Sequence, residues 1–398
     1  MSTTRDALVA ALGTDRVRDA GPDDEVAGAR PRWVASVDST ASTAQAMTVA
    51  AEHGLRVVAR GSGSALDRGG PPTGLDLLLD LSAATGVVEH AAGDLVVRVA
   101  AGTPLAEVQR VVGAAGQQLA LDAPAPTSTI GGIIATGAAG PGAHLYGGVR
   151  DLLIGITAVR ADGTPTTSGG KVVKNVAGYD LGKLYTGSFG TLGVITEAVF
   201  RLHPLAAEHR WIRARTTDPG GATALLRRSQ AVPTAIELDR PDPHGPTEVC
   251  AHLEGGSGAT DARARALAAE LGPDAEVLDR APDWWGAPLT GTALRLGAAP
   301  ARLGALLDDL AALAPEAAVR GSAGRGVLHA GLPGTTDLAA RVGALRDRCD
   351  YVVVERGPHA DVDPWGPIAP GALALMRRTK DQFDPEHRLA PGRFVGGI

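Results

Sequence analysis

The sequence predicts an α+β chain of two domains, the first built from two α/β lobes and the second a sheet with helices on one face. Three observations carry this. At 398 residues the chain exceeds one ordinary core. Between Trp33 and Leu202, helix-like and strand-like segments alternate around three glycine-rich loops. Beyond His203-Pro204, strand-like runs alternate with Ala/Leu/Arg-rich helical segments, as in an α+β layer. The expected boundaries are 1–27 for an N-terminal helical extension, 28–205 for the first domain and 206–398 for the second.

The elements follow in order. Thr4 to Leu12 reads as a short helix ending at Gly13. Asp38-Ser39-Thr40 is a capping cluster for a helix from about Ala41 to His53, which Gly54 closes. Leu55 to Arg60 is a strand, Gly61-Ser62-Gly63-Ser64 a loop, and Leu75 to Leu81 a second strand. Leu95 to Ala100 is a strand. Thr103 is expected to cap the next helix with Pro104 at its first position, and Gly116 to end it. A Pro-rich turn over 122–126 leads to Thr129-Ile-Gly131-Gly132, a close approach of bare backbone. Leu152 to Arg160 and Gly193 to Leu202 are strands, with Asp162-Gly163 a hairpin turn. In the second domain, strands are expected at 249–253, 326–329 and 351–355, and helices at 259–271, 301–313, 337–348 and 371–383.

Composition excludes several classes of function. A net charge of -6 gives no electrostatic footprint for nucleic acid. Cys250 and Cys349 stand far apart without Cys-x-x-Cys spacing, so neither an Fe–S site nor a zinc ribbon is expected; they read as two buried structural thiols. The apolar run Ala7 to Leu12 is too short for a signal core, and no other apolar stretch reaches membrane-spanning length. The expectation is a cytoplasmic protein, held at the inner face of a membrane only through a partner.

One segment escapes the Ala/Gly/Arg bias. Three of the four lysines (Lys171, Lys174, Lys183), the only asparagine (Asn175) and two of the four tyrosines (Tyr179, Tyr185) fall within residues 168–195. Lysine is a compact ammonium with rotatable donors where arginine is a planar fork, so this departure points to a chemical requirement. Lys174 either holds a phosphate or anionic substrate or pairs with Asp180. Asn175 serves the turn or a ligand, Tyr179 is expected as a packed ring with a bonded hydroxyl, and Lys171 and Lys183 as surface charges.

The three glycine loops are Gly61–Ser64, Gly131–Gly140 and Gly187–Gly193. Such loops let backbone N–H groups approach an anion. Two standard nucleotide loops fail: Leu66 stands where a Rossmann fingerprint needs its third glycine, and Gly170-Lys171 is followed by Val172 rather than Ser or Thr.

With these residues assembled, the chain resembles the FAD-binding subunits of glycolate oxidase, within the vanillyl-alcohol-oxidase, PCMH-type FAD-binding superfamily. The carriers are Gly61–Ser64, Thr129-Ile-Gly-Gly132, Gly147-Gly148-Val-Arg150-Asp151, Lys174-Asn-Val-Ala-Gly-Tyr179-Asp180, Gly187-Ser-Phe-Gly-Thr-Leu-Gly193, and the tail segments Met376–Pro385 and Pro391–Phe394. The resemblance implies a PCMH-type FAD-binding domain followed by an α+β cap whose tail around Arg393 returns toward the flavin. It assigns Gly61, Ser62, Gly63 and Ser64 to the pyrophosphate, and Thr129, Gly131 and Gly132 to phosphate and flavin. Thr136, Gly137 and Gly140 are assigned to the flavin edge, and Gly187, Gly190, Thr191, Gly193 and Ile195 to the adenosine end; Lys174 stays a candidate cofactor-binding residue beside its alternative of pairing with Asp180. Neither of the first two loops holds a His or Cys, so FAD attachment is expected to be non-covalent. Pro141 to Tyr146 lacks the basic residues that relatives often carry, which removes an anion contact.

Catalysis by such relatives needs a base for the hydroxyl proton of a 2-hydroxy acid, and some add a metal held by histidines and a carboxylate. Ten histidines occur here without an H-x-H or H-x-x-x-H pair, and no metal site is expected. His329 falls where catalytic relatives place a histidine and is the candidate base; Arg325 is the candidate carboxylate clamp. Arg356 and His359 are weaker candidates. The resemblance implies an oxidoreductase acting on small 2-hydroxy acids such as glycolate, or relaying their electrons, beside a paralogous FAD subunit and an iron–sulfur subunit. A stand-alone dehydrogenase and a non-catalytic flavin-binding accessory subunit are the alternatives.

Overall fold

The computed structural model describes residues 3–171, 178–334, 336–357 and 362–398, and the chain divides into two compact units. The first contains 1–139, 148–205 and 367–398; the second contains 140–147 and 206–366. Three expected boundaries therefore move. The N-terminal extension belongs to the first unit because Leu8 of α1 (Thr4–Leu12) is buried in its core. The tail from Pro367 also belongs there, and the short segment 140–147 joins the second unit.

The first unit has two lobes. Its first sheet runs β1-β2-β4-β3, from β1 (Val17–Asp19), β2 (Trp33–Ser36), β3 (Val57–Arg60) and β4 (Leu77–Asp80), with β2, β3 and β4 mutually parallel. Every residue of β4 is buried. That is why 75–81 reads as an unbroken apolar run: a parallel strand is covered on both faces. Leu77 and Leu79 pack with Ala46, Met47 and Ala50 of α2 (Thr40–Glu52), while Leu78 faces Val34, Val58 and Ala390. Ser39 caps α2 as expected, its hydroxyl accepting from Ser42 N–H at 3.2 Å.

The second sheet is antiparallel, in the order β5-β6-β10-β8-β9. Its strands are β5 (Val87–Ala91), β6 (Val96–Ala100), β8 (Leu153–Val159), β9 (Pro165–Gly169) and β10 (Val194–Arg201), and β7 (Gln117–Gln118) pairs separately with β11 (His203–Pro204). Asp162-Gly163 turns β8 into β9 as expected. Helix α3 (Leu105–Gly113) starts one residue later than the Thr103 cap required. Thr103 is engaged elsewhere: its hydroxyl donates to Ala100 C=O at 2.7 Å and accepts from Gly86 N–H at 2.9 Å. Thr129-Ile-Gly-Gly132, expected as a loop, opens helix α4 (Ile130–Thr136) with Thr129 as N-cap. The short helices α6 (Val149–Leu152) and α7 (Gly182–Tyr185) complete this lobe, and α12 (Pro370–Phe383) leads to the tail.

The tail is built into the unit. Val57 N–H donates to Arg388 C=O and Ala390 N–H to Val57 C=O, each at 2.8 Å, so the chain end lies alongside β3. Lys380, fully buried, donates to Thr191 C=O at 2.8 Å, Leu389 C=O at 2.8 Å and Asp384 Oδ2 at 2.6 Å. Burial pulls its pKa below the ordinary lysine value, and the Asp384 carboxylate partly offsets this.

The second unit is one antiparallel sheet of eight strands in the order β15-β12-β14-β13-β17-β18-β16-β19. These are β12 (Glu208–Thr216), β13 (Ala235–Arg240), β14 (Thr247–Gly255), β15 (Ala275–Leu278), β16 (Thr292–Gly297), β17 (Ala318–Ser322), β18 (Val327–Leu332) and β19 (Tyr351–Arg356). Helices α8 (Pro219–Arg228), α9 (Ala259–Leu271), α10 (Leu303–Leu313) and α11 (Leu338–Arg346) bury residues such as Leu226, Leu267 and Leu306 against Ile212, Leu238 and Leu328 of the sheet. Alternation along the strands sends His209, Glu248, His252, Glu254, Arg320 and His329 to the other face. The helix α5 (Ala143–Tyr146) belongs to this unit.

Candidate functional site: a glycine-lined cleft in the first unit

A cleft of about 910 Å³, its open mouth included, runs through the first unit where the end of β3, the end of β6 and α4 converge. Eleven of the sixteen residues expected at a cofactor line it together: Gly61, Ser62, Gly63, Ser64, Thr129, Gly131, Gly132, Thr136, Gly190, Gly193 and Ile195. Loops more than fifty residues apart in sequence thus form one concave surface.

Packing demands glycine at positions 61 and 131. A Cβ on Gly61 would stand 2.3 Å from Thr129 Oγ1, and one on Gly131 would stand 3.0 Å from Ala101 Cβ. Gly131 N–H donates to Ala101 C=O at 2.7 Å, which holds α4 hard against the end of β6. Gly132 differs: its Cβ would meet only Thr129 Oγ1, at 3.2 Å. Gly132 therefore keeps cleft space open rather than protein packing. Thr129 Oγ1 accepts from Gly132 N–H at 3.3 Å, and Thr136 donates to Gly132 C=O at 2.7 Å, so both hydroxyls pin the helix rim.

The loop after β3 is fixed by charge. Arg60 bonds Asp24 at 3.0 Å and Asp80 at 2.6 Å. Arg18 together with Gly21 N–H and Arg60 holds the Asp24 carboxyl well below the usual range. Burial raises the Asp80 pKa, but Arg60 and Ser82 outweigh it and the net shift is downward. On the other side of the same loop, buried Arg393 donates to Leu66 C=O at 3.0 Å and Arg68 C=O at 2.7 Å, and burial pushes its pKa down to about 10. Phe189, at φ 54°, stacks on Phe394 with ring centroids 6.0 Å apart.

Four expected residues are described but not among the lining ones. Gly137 is the left-handed C-cap of α4, at φ 62°. Gly187 donates to Ile134 C=O at 2.9 Å, and Thr191 is buried beneath the cleft, its hydroxyl donating to Ser188 C=O at 2.7 Å. Gly140 belongs to the second unit. Lys174 and Asn175 lie outside the described residues, as does His359. Tyr179 corrects an expectation: it is 91% exposed rather than packed, and the buried tyrosine of that segment is Tyr185. Lys171 pairs with Glu89, and Lys183 bonds Arg150 C=O, both partly exposed as expected of surface charges. Cys250 is buried and Cys349 half-buried, both free thiols pushed up by burial, Cys349 to about 11.

Phe189 was invisible to sequence reasoning as a site residue because an aromatic at positive φ has no local signature. Arg393 had a weak signal in the Pro-Gly-Arg-Phe tail. In the second unit, His329 on β18 has Nδ1 3.2 Å from Glu355 Oε2, and Arg295 Nε is 3.7 Å from the other oxygen. Arg325 occupies the turn between β17 and β18, with its N–H donating to Ser322 C=O at 3.2 Å. His209, His252 and Glu254 also come together in this unit, one ligand atom of each within 4.8 Å of the others. Sequence spacing did not reveal this trio, because two strands separated by a helix and a third strand supply it.

Residues 31–169 match the FAD binding domain family. This chain carries an FAD-binding domain. Across 150 residues it is 39% identical to glycolate oxidase subunit GlcE of Escherichia coli, covering 37% of this chain and 42% of that protein. Across 216 residues it is 32% identical to glycolate oxidase subunit GlcD of Bacillus subtilis, covering 53% and 46%. D-lactate dehydrogenase of Archaeoglobus fulgidus is 38% identical over 153 residues, covering 38% of this chain and 34% of that one. The chain thus spans less than half the length of each of these relatives. The fold is that of p-cresol methylhydroxylase, at TM-score 0.73 with 15% identity over 98% of this chain and 96% of that one. It is equally that of alkyldihydroxyacetonephosphate synthase, at TM-score 0.73 and 16% identity over 96% and 83%.

The cleft fits the cofactor of this domain family. Bare backbone at Gly61, Gly131 and Gly132 and hydroxyls from Ser62, Ser64, Thr129 and Thr136 line it, the donor set that an anionic dinucleotide needs. FAD is the cofactor of this domain.

Proposed function

We propose that this chain is the FAD-binding oxidoreductase subunit of a glycolate oxidase-type assembly, oxidising small 2-hydroxy acids such as glycolate or relaying their electrons. The observation that carries the reading is the single cleft formed by the Gly61–Ser64, Thr129–Thr136 and Gly190–Ile195 segments, in a chain 39% identical over 150 residues to a glycolate oxidase subunit. Bound FAD supplies a two-electron acceptor. The chain's own residues do the rest. Gly61–Ser64 receive the pyrophosphate through N–H and hydroxyl donors, Thr129–Thr136 border the flavin, and Gly190, Gly193 and Ile195 take the adenosine end. Among the described residues no His or Cys lines the cleft, which supports non-covalent retention there.

In the same reading His329 takes the hydroxyl proton of the 2-hydroxy acid, its ring oriented by Glu355, and Arg325 receives the carboxylate. The partners are a paralogous FAD subunit and an iron–sulfur subunit, in the cytoplasm. No helix among the described residues is long and apolar enough to cross a membrane, so a membrane position would come through those partners.

The test is a visible spectrum of the purified chain, repeated on the supernatant after acid precipitation and again during anaerobic addition of glycolate. A flavin band released by acid is expected. Bleaching by glycolate makes this chain the dehydrogenase; an unbleached flavin that is reduced only when the partner subunits are added makes it the relay. Absence of reduction in both preparations refutes the proposal.

A further inference from the structure

The second unit's sheet carries, on the face opposite its helices, a donor cluster that the proposed redox chemistry does not use. His209 on β12 stands directly opposite Glu254 on β14, and His252 projects to the same face two residues before Glu254. His209 Nδ1 is 3.1 Å from His252 Nε2. Glu254 Oε1 is 3.9 Å from His209 Nδ1 and 3.7 Å from His252 Nδ1. Donors bound tetrahedrally at about 2.0–2.2 Å stand about 3.4 Å apart around a zinc-sized ion. His252 meets His209 through Nε2 and Glu254 through Nδ1; with one ligand atom taken from each residue the three lie within 4.8 Å of one another, so side-chain rotation, for which His209 has room, brings them onto a common centre.

The surroundings are those of a supported ligand set. Tyr146 donates its hydroxyl to Glu254 Oε2 at 2.6 Å, which leaves Oε1 directed at the imidazoles. Trp211 stacks on the His252 ring with centroids 4.4 Å apart, and Trp285 meets it edge-on at 6.2 Å. Such outer partners fix ligand orientation in metal centres. The His252 and Glu254 side chains are nearly buried, at 12% and 11% exposure, while His209 at 38% has room to turn. Two imidazoles and one carboxylate suit zinc-like transition ions, whereas magnesium and calcium take oxygen ligands.

We propose that His209, His252 and Glu254 bind one divalent transition-metal ion of the zinc class, with a fourth position left for water or an anionic ligand. The site is distinct from the His329–Glu355 pair, because β13 and β17 separate β14 from β18 in the sheet. It does not depend on the redox reading, since its measurement is metal content.

The experiment uses tag-free, FAD-loaded protein, stripped with a chelator and dialysed to equilibrium against micromolar zinc, with bound metal counted by elemental analysis. One equivalent is expected. His209→Ala and His252→Ala should each lower affinity at least tenfold, and Tyr146→Phe about 10–100-fold as a second-layer change. Flavin absorbance and circular dichroism report folding in every variant, and partly exposed His209 supplies the decisive variant if His252→Ala fails to fold. Binding below a tenth of an equivalent, or one equivalent retained in His209→Ala, would overturn the proposal and leave the trio a hydrogen-bonded ring stack.

Discussion

Replacing Lys380 with methionine tests how the tail supports the cleft. The ammonium satisfies two buried carbonyls and one carboxylate at 2.6–2.8 Å. Lys380→Met leaves Asp384, itself fully buried, with the Leu389 N–H at 2.7 Å as its remaining donor among those described. Breaking a buried pair from one side costs about 3–5 kcal/mol, because an uncompensated charge stays behind. At about 2–4 °C per kcal/mol for a unit of this size, the melting temperature should fall by about 6–20 °C. FAD retention should weaken as well, since the Thr191 carbonyl lies between cleft-lining Gly190 and Gly193. Thermal unfolding followed both by circular dichroism and by flavin fluorescence reads the two effects. Lys380→Met/Asp384→Leu, which removes both charges, should regain most of the loss. A single variant melting within about 2 °C of wild type, with normal flavin content, would refute the reasoning.

Further outcomes are expected. Gly132→Val should fold with a nearly unchanged melting temperature but hold FAD about 10–100-fold more weakly, since its Cβ meets only Thr129 Oγ1 and the rest of the side chain occupies cleft space. Gly61→Ala should instead lose about 1–3 kcal/mol of stability by forcing Thr129 aside, visible in denaturant titration as a lower midpoint. Asp24 titrates below its ordinary 3.8 in the folded state, so its contribution is full above that pH and is lost as pH falls further. Wild type should therefore lose stability and flavin below about pH 4, and Asp24→Asn should flatten that part of the profile. His329→Ala should leave FAD bound; if wild type turns over glycolate and the variant matches it, His329 is not the base.

Legibility in the sequence followed the range of the interactions involved. Helix α2 was readable from Asp38-Ser39-Thr40 because its cap is made within four residues. The buried run at β4 and the hairpin at Asp162-Gly163 were equally local. Thr103 misled because its hydroxyl had a better partner in the Ala100 carbonyl than in the helix that follows. The Thr129 segment was legible as a site and not as a helix, since two adjacent glycines hide helical propensity. Strands β12, β13 and β16 were missed because charged residues on the face opposite the helices, buried in the case of Glu237 and Asp239, break the apolar pattern. The glycine loops of the cleft were found by composition, but their convergence with Arg393 and Phe189 depends on contacts spanning hundreds of residues. The His209–His252–Glu254 cluster had no sequence signature, because strand register alone brings it together.

The order of synthesis gives the discontinuous first unit a consequence. A ribosome that has made residues 1–205 has made most of the FAD-binding unit, yet Lys380, Leu389 and Arg393 are still to be translated. At about 5–20 residues per second, the intervening second unit occupies the nascent chain for about 8–30 s. During that interval the strand edge beside Val57 lacks the hydrogen bonds that Arg388 and Ala390 later supply. Chaperone demand should therefore peak in this window, and a message truncated after residue 366 should yield a product that is degraded rather than one that competes for flavin.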